Sequence, residues 1–416
     1  MKIDNIILIE PENVDNFYPF SILHPIWELR TGALKIYEKI QNEFNEINII
    51  LKGRRYHTLS FLKKNVLKSE NIQGGNNLIF RANINFNDDF YNDFAAALVN
   101  YQDQSLRFTI DNKIVGAFLF EKDYVENLSD DEIIDVSGSF YTNFPSIELK
   151  SSNSINYIWD SIYNLGKSIE EDFKYFSNYV YYNPINYPNS FGINISKIRL
   201  GKNVSIAPTV VLDASSGPIV IDDNAKLMPQ STVIGPAYIG KNTIIKVGAK
   251  IYNNTVIGEH CKVGGEVEDS IIQAYTNKQH EGFLGHSFLS EWVNLGADSN
   301  TSDLKNTYSN INIRIKDKEI NTGKMFLGLL CGDHTKSAIN TQFNTGTVIG
   351  ICGILVKDGF LPNYVPSFAW GGKKGSPIYK VEKAIAVVKK VMARRDLKLD
   401  KIDEDLIIAE HEETNL

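Results

Sequence analysis

The chain has 416 residues, 43% of them hydrophobic, 11% aromatic and 22% charged, a globular make-up that excludes wholesale disorder and, by its length, a single hydrophobic core. Its 50 acidic side chains outnumber 43 basic ones, leaving a net charge of −7 and no cationic footprint for a nucleic-acid partner. Three scattered cysteines, Cys261, Cys331 and Cys352, build neither a disulfide framework nor a four-cysteine zinc site and point to a cytoplasmic protein, and no apolar run suits a signal peptide or membrane span.

Residues 1–153 read as an α/β domain. Strand-like runs fall at Ile6 to Ile9 and Ile47 to Leu51, a helical stretch surrounds Leu34 to Ile40, and Leu106 to Phe120 forms a hairpin turning at Asp111-Asn112. Residues 154–190 follow as a connector: Ile155, Ile158, Trp159, Ile162, Leu165, Ile169 and Phe173 have helical spacing, and Pro184 and Pro188 punctuate the chain behind them.

Residues 191–372 carry a repeat. Apolar residues recur at Leu200, Ile206 and Leu212 and, after a three-residue insertion, at Ile221, Leu227, Val233, Ile239, Ile245, Ile251, Ile257 and Val263, with Gly, Ala or Asp next to several of them. A step of six suits a parallel β-helix, in which every sixth side chain points at the axis and stacked coils cover one another's apolar faces. The pattern pauses at Gly264-Gly265-Glu266, restarts at Phe283, Leu289 and Leu295, and returns weakly at Leu327, Asp333, Ile339, Thr345 and Ile351. Between these lie polar excursions, Glu266 to Gly282 and Asp298 to Gly323, read as loops on a rigid scaffold, where function usually resides. Residues 373–416 read as an amphipathic helix through Val381, Ala384, Ile385, Val388, Val391 and Met392, then a frayed charged tail.

Several stretches carry a family likeness: Gly264-Gly265-Glu266-Val267, Asn277-Lys278-Gln279-His280, Trp292-Val293-Asn294-Leu295-Gly296-Ala297, Gly332-Asp333-His334-Thr335-Lys336 and Pro366-Ser367-Phe368-Ala369-Trp370-Gly371-Gly372. With Leu304-Lys305-Asn306-Thr307-Tyr308 and the Pro25 to Leu34 segment, they resemble the GlmU-like enzymes, which fuse a sugar-1-phosphate nucleotidyltransferase to a hexapeptide-repeat acetyltransferase, in the variant branch of Bacteroidetes-type bacteria. The resemblance implies a nucleotidyltransferase-like front domain, a left-handed β-helix, homotrimers with acyltransferase sites between neighbouring solenoids, and acetyl-CoA as acyl donor to an amino-sugar phosphate. It also implies UTP or dTTP with Mg²⁺ at the front domain.

Carried over residue by residue, the resemblance makes His280 the general base, a role that an imidazole with a pKa near 6.5 suits at neutral pH. It places Lys246 on the sugar phosphate, Asn294 on the sugar, Phe283, Lys305 and Asn306 in the same pocket, and Thr335, Lys336 and Gly353 along acyl-CoA. Phe283 replaces a tyrosine, and Asp298 and Asp303 stand where glycine and asparagine are usual. The front domain lacks the glycine-rich nucleotide loop; Glu28-Leu29-Arg30-Thr31-Gly32 resembles the variant's substitute, with Arg30 a phosphate ligand and Asp88-Asp89 an acidic pair for Mg²⁺. Arg394 and Arg395 are placed to reach CoA phosphates. Two other readings compete: a zinc hydratase using His280, His286 and His334, which their spacing disfavours, and a non-catalytic trimeric scaffold that binds a sugar nucleotide.

Overall fold

A computed structural model of the chain describes residues 2–65, 74–101, 104–123, 142–372 and 377–414. Its contacts divide it into two units: Met1–Phe17, Leu23–Leu29 and Leu34–Tyr157 make the first, and Tyr18–Ile22, Arg30–Ala33 and Ile158–Leu416 the second.

The first unit is a six-stranded mixed sheet. Strands β1 (Asn5–Ile9), β2 (Asn48–Lys52), β3 (Asn77–Arg81), β4 (Leu106–Ile110), β5 (Lys113–Leu119) and β6 (Ser146–Glu148) lie in the order β2-β1-β3-β5-β4-β6. Parallel pairing of β1 with β2 and β3 buries every residue of β1, which explains its unbroken apolar run. The β4–β5 hairpin turns through Asp111 and Asn112, both left-handed at φ 51° and 61°, the backbone a tight hairpin demands. Helices α1 (Ile36–Glu43), α2 (Arg55–Lys64) and α3 (Asp88–Asn100) complete the unit, and Phe80 packs edge-on against Phe86, Phe90 and Phe94.

In the second unit the single connecting helix expected at 154–176 is two short ones, α4 (Ile158–Tyr163) and α5 (Leu165–Asp172), with a 3₁₀ turn at Phe173–Phe176. The break falls at Asn164, next to Gly166, two residues of poor helix propensity. The chain then winds into a parallel β-helix of the left-handed, hexapeptide-repeat kind. One face stacks Ser205–Ile206, Lys226–Leu227, Ile244–Ile245, Lys262–Val263 and Asn277–Lys278; a second begins at Phe191–Ile193 and a third runs on to Tyr364–Val365. Every solenoid-to-solenoid rung on the first face is parallel.

The eleven apolar residues from Leu200 to Val263 all point inward and form one core cluster. Asn203, Asn224, Asn242, His260, Tyr275, Trp292, His334 and Cys352 occupy one corner of successive coils, all left-handed at φ 56–62°. The small residue directly after the inward one has a different cause. At Gly240 a Cβ would stand 2.6 Å from the Gly258 carbonyl carbon of the next coil, so the close approach of two backbones excludes a side chain.

Four further sequence expectations are corrected. Glu266 to Gly282 is not a loop but a further coil, with Glu266–Glu268, Ile271–Ile272 and Asn277–Lys278 in parallel register on the coil before. Val267 and Ile272 fill its core, and shortened spacing hides it from a fixed step of six. In the last coils the inward side chains are Cys331, Phe343, Ile349 and Leu355 rather than Leu327, Asp333, Ile339, Thr345 and Ile351; Ile339 is 68% exposed. Within Asp298 to Gly323, Asn300–Thr301 is a solenoid rung and Asn312–Ile315 with Lys318–Asn321 a hairpin. The charged tail is ordered: behind α6 (Val381–Ala393), helix α7 (Lys401–Thr414) buries Leu406 and Ile407, and Ser367 donates to Glu410 at 2.5 Å. The boundary read at residue 373 lies outside the described residues. Among the described residues no helix is long and apolar enough to cross a membrane.

Candidate active site

His280 follows the strand Asn277–Lys278 and is solvent-exposed. What holds it is the residue two before it. Lys278 occupies an inward register position, paired with Val263 of the preceding coil, and is 2% exposed. Its ammonium donates to the Gly264 carbonyl at 2.9 Å and to the His280 carbonyl at 2.8 Å. Burial lowers its pKa to about 8. A lysine inside a solenoid thus clips the backbone that carries the imidazole to the preceding coil.

The outer face beside this corner is cationic. Lys262, Asn277, Asn294 and Lys336 stand in register on successive coils. Lys246 lies one position along, on the coil beneath Gly264, since its N–H donates to the Val263 carbonyl and that of Gly264 to the Lys278 carbonyl. Burial, then Arg395, Lys246 and Arg394, lower the pKa of Lys262, so these four cations share one neighbourhood. Sequence reading missed Lys262 and Lys278. Lys278 had a signal, a polar residue in an apolar column; Lys262 had none, because outward lysines are ordinary on solenoids.

Phe283 lies in the rung Phe283–Gly285, half-buried, with its N–H donating to Asn300 Oδ1 at 2.9 Å. Asn294 is half-buried and its N–H donates to the Thr335 carbonyl. His286 forms a pair of its own, Nδ1 to Asp303 at 2.8 Å, while His334 stacks on Trp292. Among the described residues, His280, His286 and His334 do not come together as one group.

In the first unit, the carboxylate of Glu10, just past β1, is fully buried and collects four donors. Oε1 accepts from the Ile26 N–H at 3.1 Å and Arg54 Nη2 at 2.9 Å; Oε2 accepts from the Arg54 N–H at 2.8 Å and Arg54 Nε at 3.0 Å. Burial alone would raise its pKa, yet Arg54 holds it below the usual carboxylate value. Nearby Glu28, buried, is likewise held well below that value by His24 and Lys35.

Residues 6–179 match the family described as sugar nucleotidyl transferase. The chain is similar to that family over this stretch. It is also similar to the bifunctional protein GlmU of Methanococcus maripaludis, at 25% identity over 79% of this chain and 89% of that one. The GlmU of Methanococcus aeolicus is 24% identical over 47% of this chain and 44% of its own. A bifunctional sugar-1-phosphate nucleotidylyltransferase/acetyltransferase of Sulfurisphaera tokodaii is 29% identical over 32% of this chain and 34% of its own. The chain spans less than half the length of the last two relatives.

Against these likenesses, several expected ligands are otherwise engaged. Arg30, in the segment of the sugar nucleotidyl transferase match that packs with the second unit, is 2% exposed. It pairs with Glu259 at 2.6 Å, donates to the Ala33 carbonyl at 2.5 Å, and lies over the Tyr238 ring. It is an interior anchor and not an open phosphate ligand. Thr335 is fully buried, donating to the Gly350 carbonyl at 2.8 Å and accepting from the Gly353 N–H at 3.1 Å. Both Thr335 and Gly353 therefore tie coil to coil, and neither offers a surface to acyl-CoA. Lys336 turns its ammonium onto the His334 carbonyl at 2.8 Å, and burial lowers its pKa. Lys305 folds back to the Asn310 carbonyl at 2.9 Å, while Asn306 is exposed beside it. Asp88 and Asp89 open helix α3, where carboxylates complement the helix dipole.

Proposed function

We propose that the solenoid transfers an acetyl group from acetyl-CoA to an amino-sugar phosphate such as glucosamine-1-phosphate. The N-terminal domain, in the same proposal, transfers a nucleotidyl group from UTP or dTTP to a sugar-1-phosphate with Mg²⁺. The observation that carries the acyl reading is His280 clipped at a coil corner beside the group Lys246, Lys262, Arg394 and Arg395. The cations draw in a phosphate and set the amine in front of the imidazole. His280 accepts a proton from the neutral amine as its nitrogen attacks the thioester carbonyl; the tetrahedral intermediate collapses, the C–S bond breaks, and the leaving CoA thiolate takes that proton back from the imidazolium. Asn277 and Asn294 line the same face for sugar hydroxyls.

Exposed apolar side chains on the solenoid, among them Val247 and Val356, support a homotrimer in which neighbouring coils complete the site. Activity assayed with acetyl-CoA and amino-sugar phosphates, and separately with UTP or dTTP, Mg²⁺ and sugar-1-phosphates, tests both halves. Replacing His280→Ala lowers acetyl transfer by roughly 10²–10⁴-fold with the fold intact; an unchanged rate removes His280 from the mechanism. The second reading, a non-catalytic trimeric scaffold that binds a sugar nucleotide, draws on Arg30, Thr335 and Gly353, expected ligands that are engaged within the fold instead. Failure of both assays selects it.

A further inference from the structure

A group of side chains away from His280 has the makings of a metal centre. Glu268 ends the rung Glu266–Glu268, His286 follows the rung Phe283–Gly285 stacked directly on it, and Asp303 comes from the segment after Asn300–Thr301. One ligand atom from each lies within 4.8 Å of the others, on the scale of the roughly 4–4.6 Å that two opposed bonds of about 2.0–2.3 Å span. Two features make this more than a patch of acid. The imidazole is held rigidly: its ring stacks on Phe326 at 5.0 Å, and Nδ1 stands 2.8 Å from Asp303 Oδ2, the spacing of two neighbouring ligands on one ion. Its other nitrogen, Nε2, is 4.0 Å from Asp269 Oδ2, beyond hydrogen-bond reach, so a further carboxylate stands beside the ring.

Charge balance points the same way. Glu268, Asp269 and Asp303 bring three carboxylates to one histidine, and among the described residues no lysine or arginine pairs with any of the three. Gly285 is what lets Asp303 approach, since a Cβ there would meet its carboxylate at 2.6 Å. One imidazole with carboxylates, half-buried, suits a divalent transition metal better than Mg²⁺, which prefers oxygen ligands and retained waters.

We propose that Glu268, His286 and Asp303 bind one divalent transition-metal ion, with Asp269 beside the second imidazole nitrogen, independently of the acetyl-transfer reading. Equilibrium dialysis of the full chain against Zn²⁺, read by elemental analysis, tests it. The wild type takes up one Zn²⁺ per chain, and Glu268→Gln and His286→Asn each weaken uptake at least about tenfold, with melting curves in metal-free buffer showing both variants folded. Should His286→Asn not fold, Glu268→Gln and Asp303→Asn carry the comparison alone. No uptake by the wild type, or uptake that these substitutions leave unaltered, overturns the proposal.

Discussion

The coils from Leu200 to Val263 and those from Gly264 to Val365 are one solenoid made under two rules. In the first stretch the inward position is always Ile, Leu or Val and the step hardly varies. In the second the inward position admits Lys278, Ser337 and Cys331, and two coils are shortened or interrupted by a hairpin. In the first stretch the inward column is wholly apolar, so its register is fixed by the periodicity of the sequence. The second uses polar groups inside and irregular corners outside. His280, Asn294 and the Glu268–His286–Asp303 group all lie there, which is where a rigid scaffold gives up regularity for chemistry.

The sharpest break between the two rules is at equal side chains in unequal positions. Ile245 is fully buried in the regular stretch, while Ile339, read from the sequence as an inward residue, is 68% exposed. Ile245→Ala should cost about 2–5 kcal/mol through lost burial and an unfilled cavity, and Ile339→Ala within about 0.5 kcal/mol of nothing. Denaturant unfolding of the two variants decides it. Equal losses would mean that the late coils keep the register written in the simple hexad.

That pair also marks how far the sequence could be read. Eleven inward residues of the early coils were legible because apolar identity and geometry coincide there, and strand β1 and the Asp111-Asn112 turn were legible because each rests on local chemistry. The coil at Glu266–Glu268 was not, because the step from Val263 to Val267 is shorter than six and its later inward residue is a lysine. Helix α7 was hidden by charge: Leu406 and Ile407 are few among acidic neighbours, yet they bury. Within the site, His280 and Asn294 were found through likeness to a family. The engagement of Arg30 by Glu259, and of Thr335 by Gly350, depends on contacts between distant segments that no local pattern encodes.

Lys278 sharpens the contrast further, because an amine in the inward column ties the stability of the late coils to pH. In the folded chain its proton leaves near pH 8, while an unfolded lysine keeps it to about 10.5. Between those values the unfolded chain binds more protons, so the folded state gains stability as pH rises, and the cost of the buried cation is fully present below pH 8. The gain amounts to about 3 kcal/mol across the window. Other lysines and tyrosines titrate there too, so the readout is the difference in unfolding free energy between wild type and Lys278→Met. That difference should move by about 3 kcal/mol in favour of the wild type from pH 7.5 to 10.5. A flat difference would mean that Lys278 is solvated and does not clip the His280 backbone.

The smallest effect tests the early coils at their tightest point. At Gly240 the regular stretch brings two backbones so close that a methyl group would sit 2.6 Å from the Gly258 carbonyl carbon and 2.8 Å from the Glu259 nitrogen. Backbone cannot rotate away as a side chain can, so the coil must lift or the corner must widen. Gly240→Ala should therefore destabilise by about 1–3 kcal/mol despite the better conformational entropy of alanine in the unfolded chain. Gly248, also at a corner, has nothing within 4 Å of its missing Cβ but a left-handed φ of 70°. Gly248→Ala meets strain rather than collision, at roughly 1 kcal/mol. If thermal melts rank Gly248→Ala as the more damaging, then backbone handedness and not coil-to-coil spacing sets the limit on side chains at the corners.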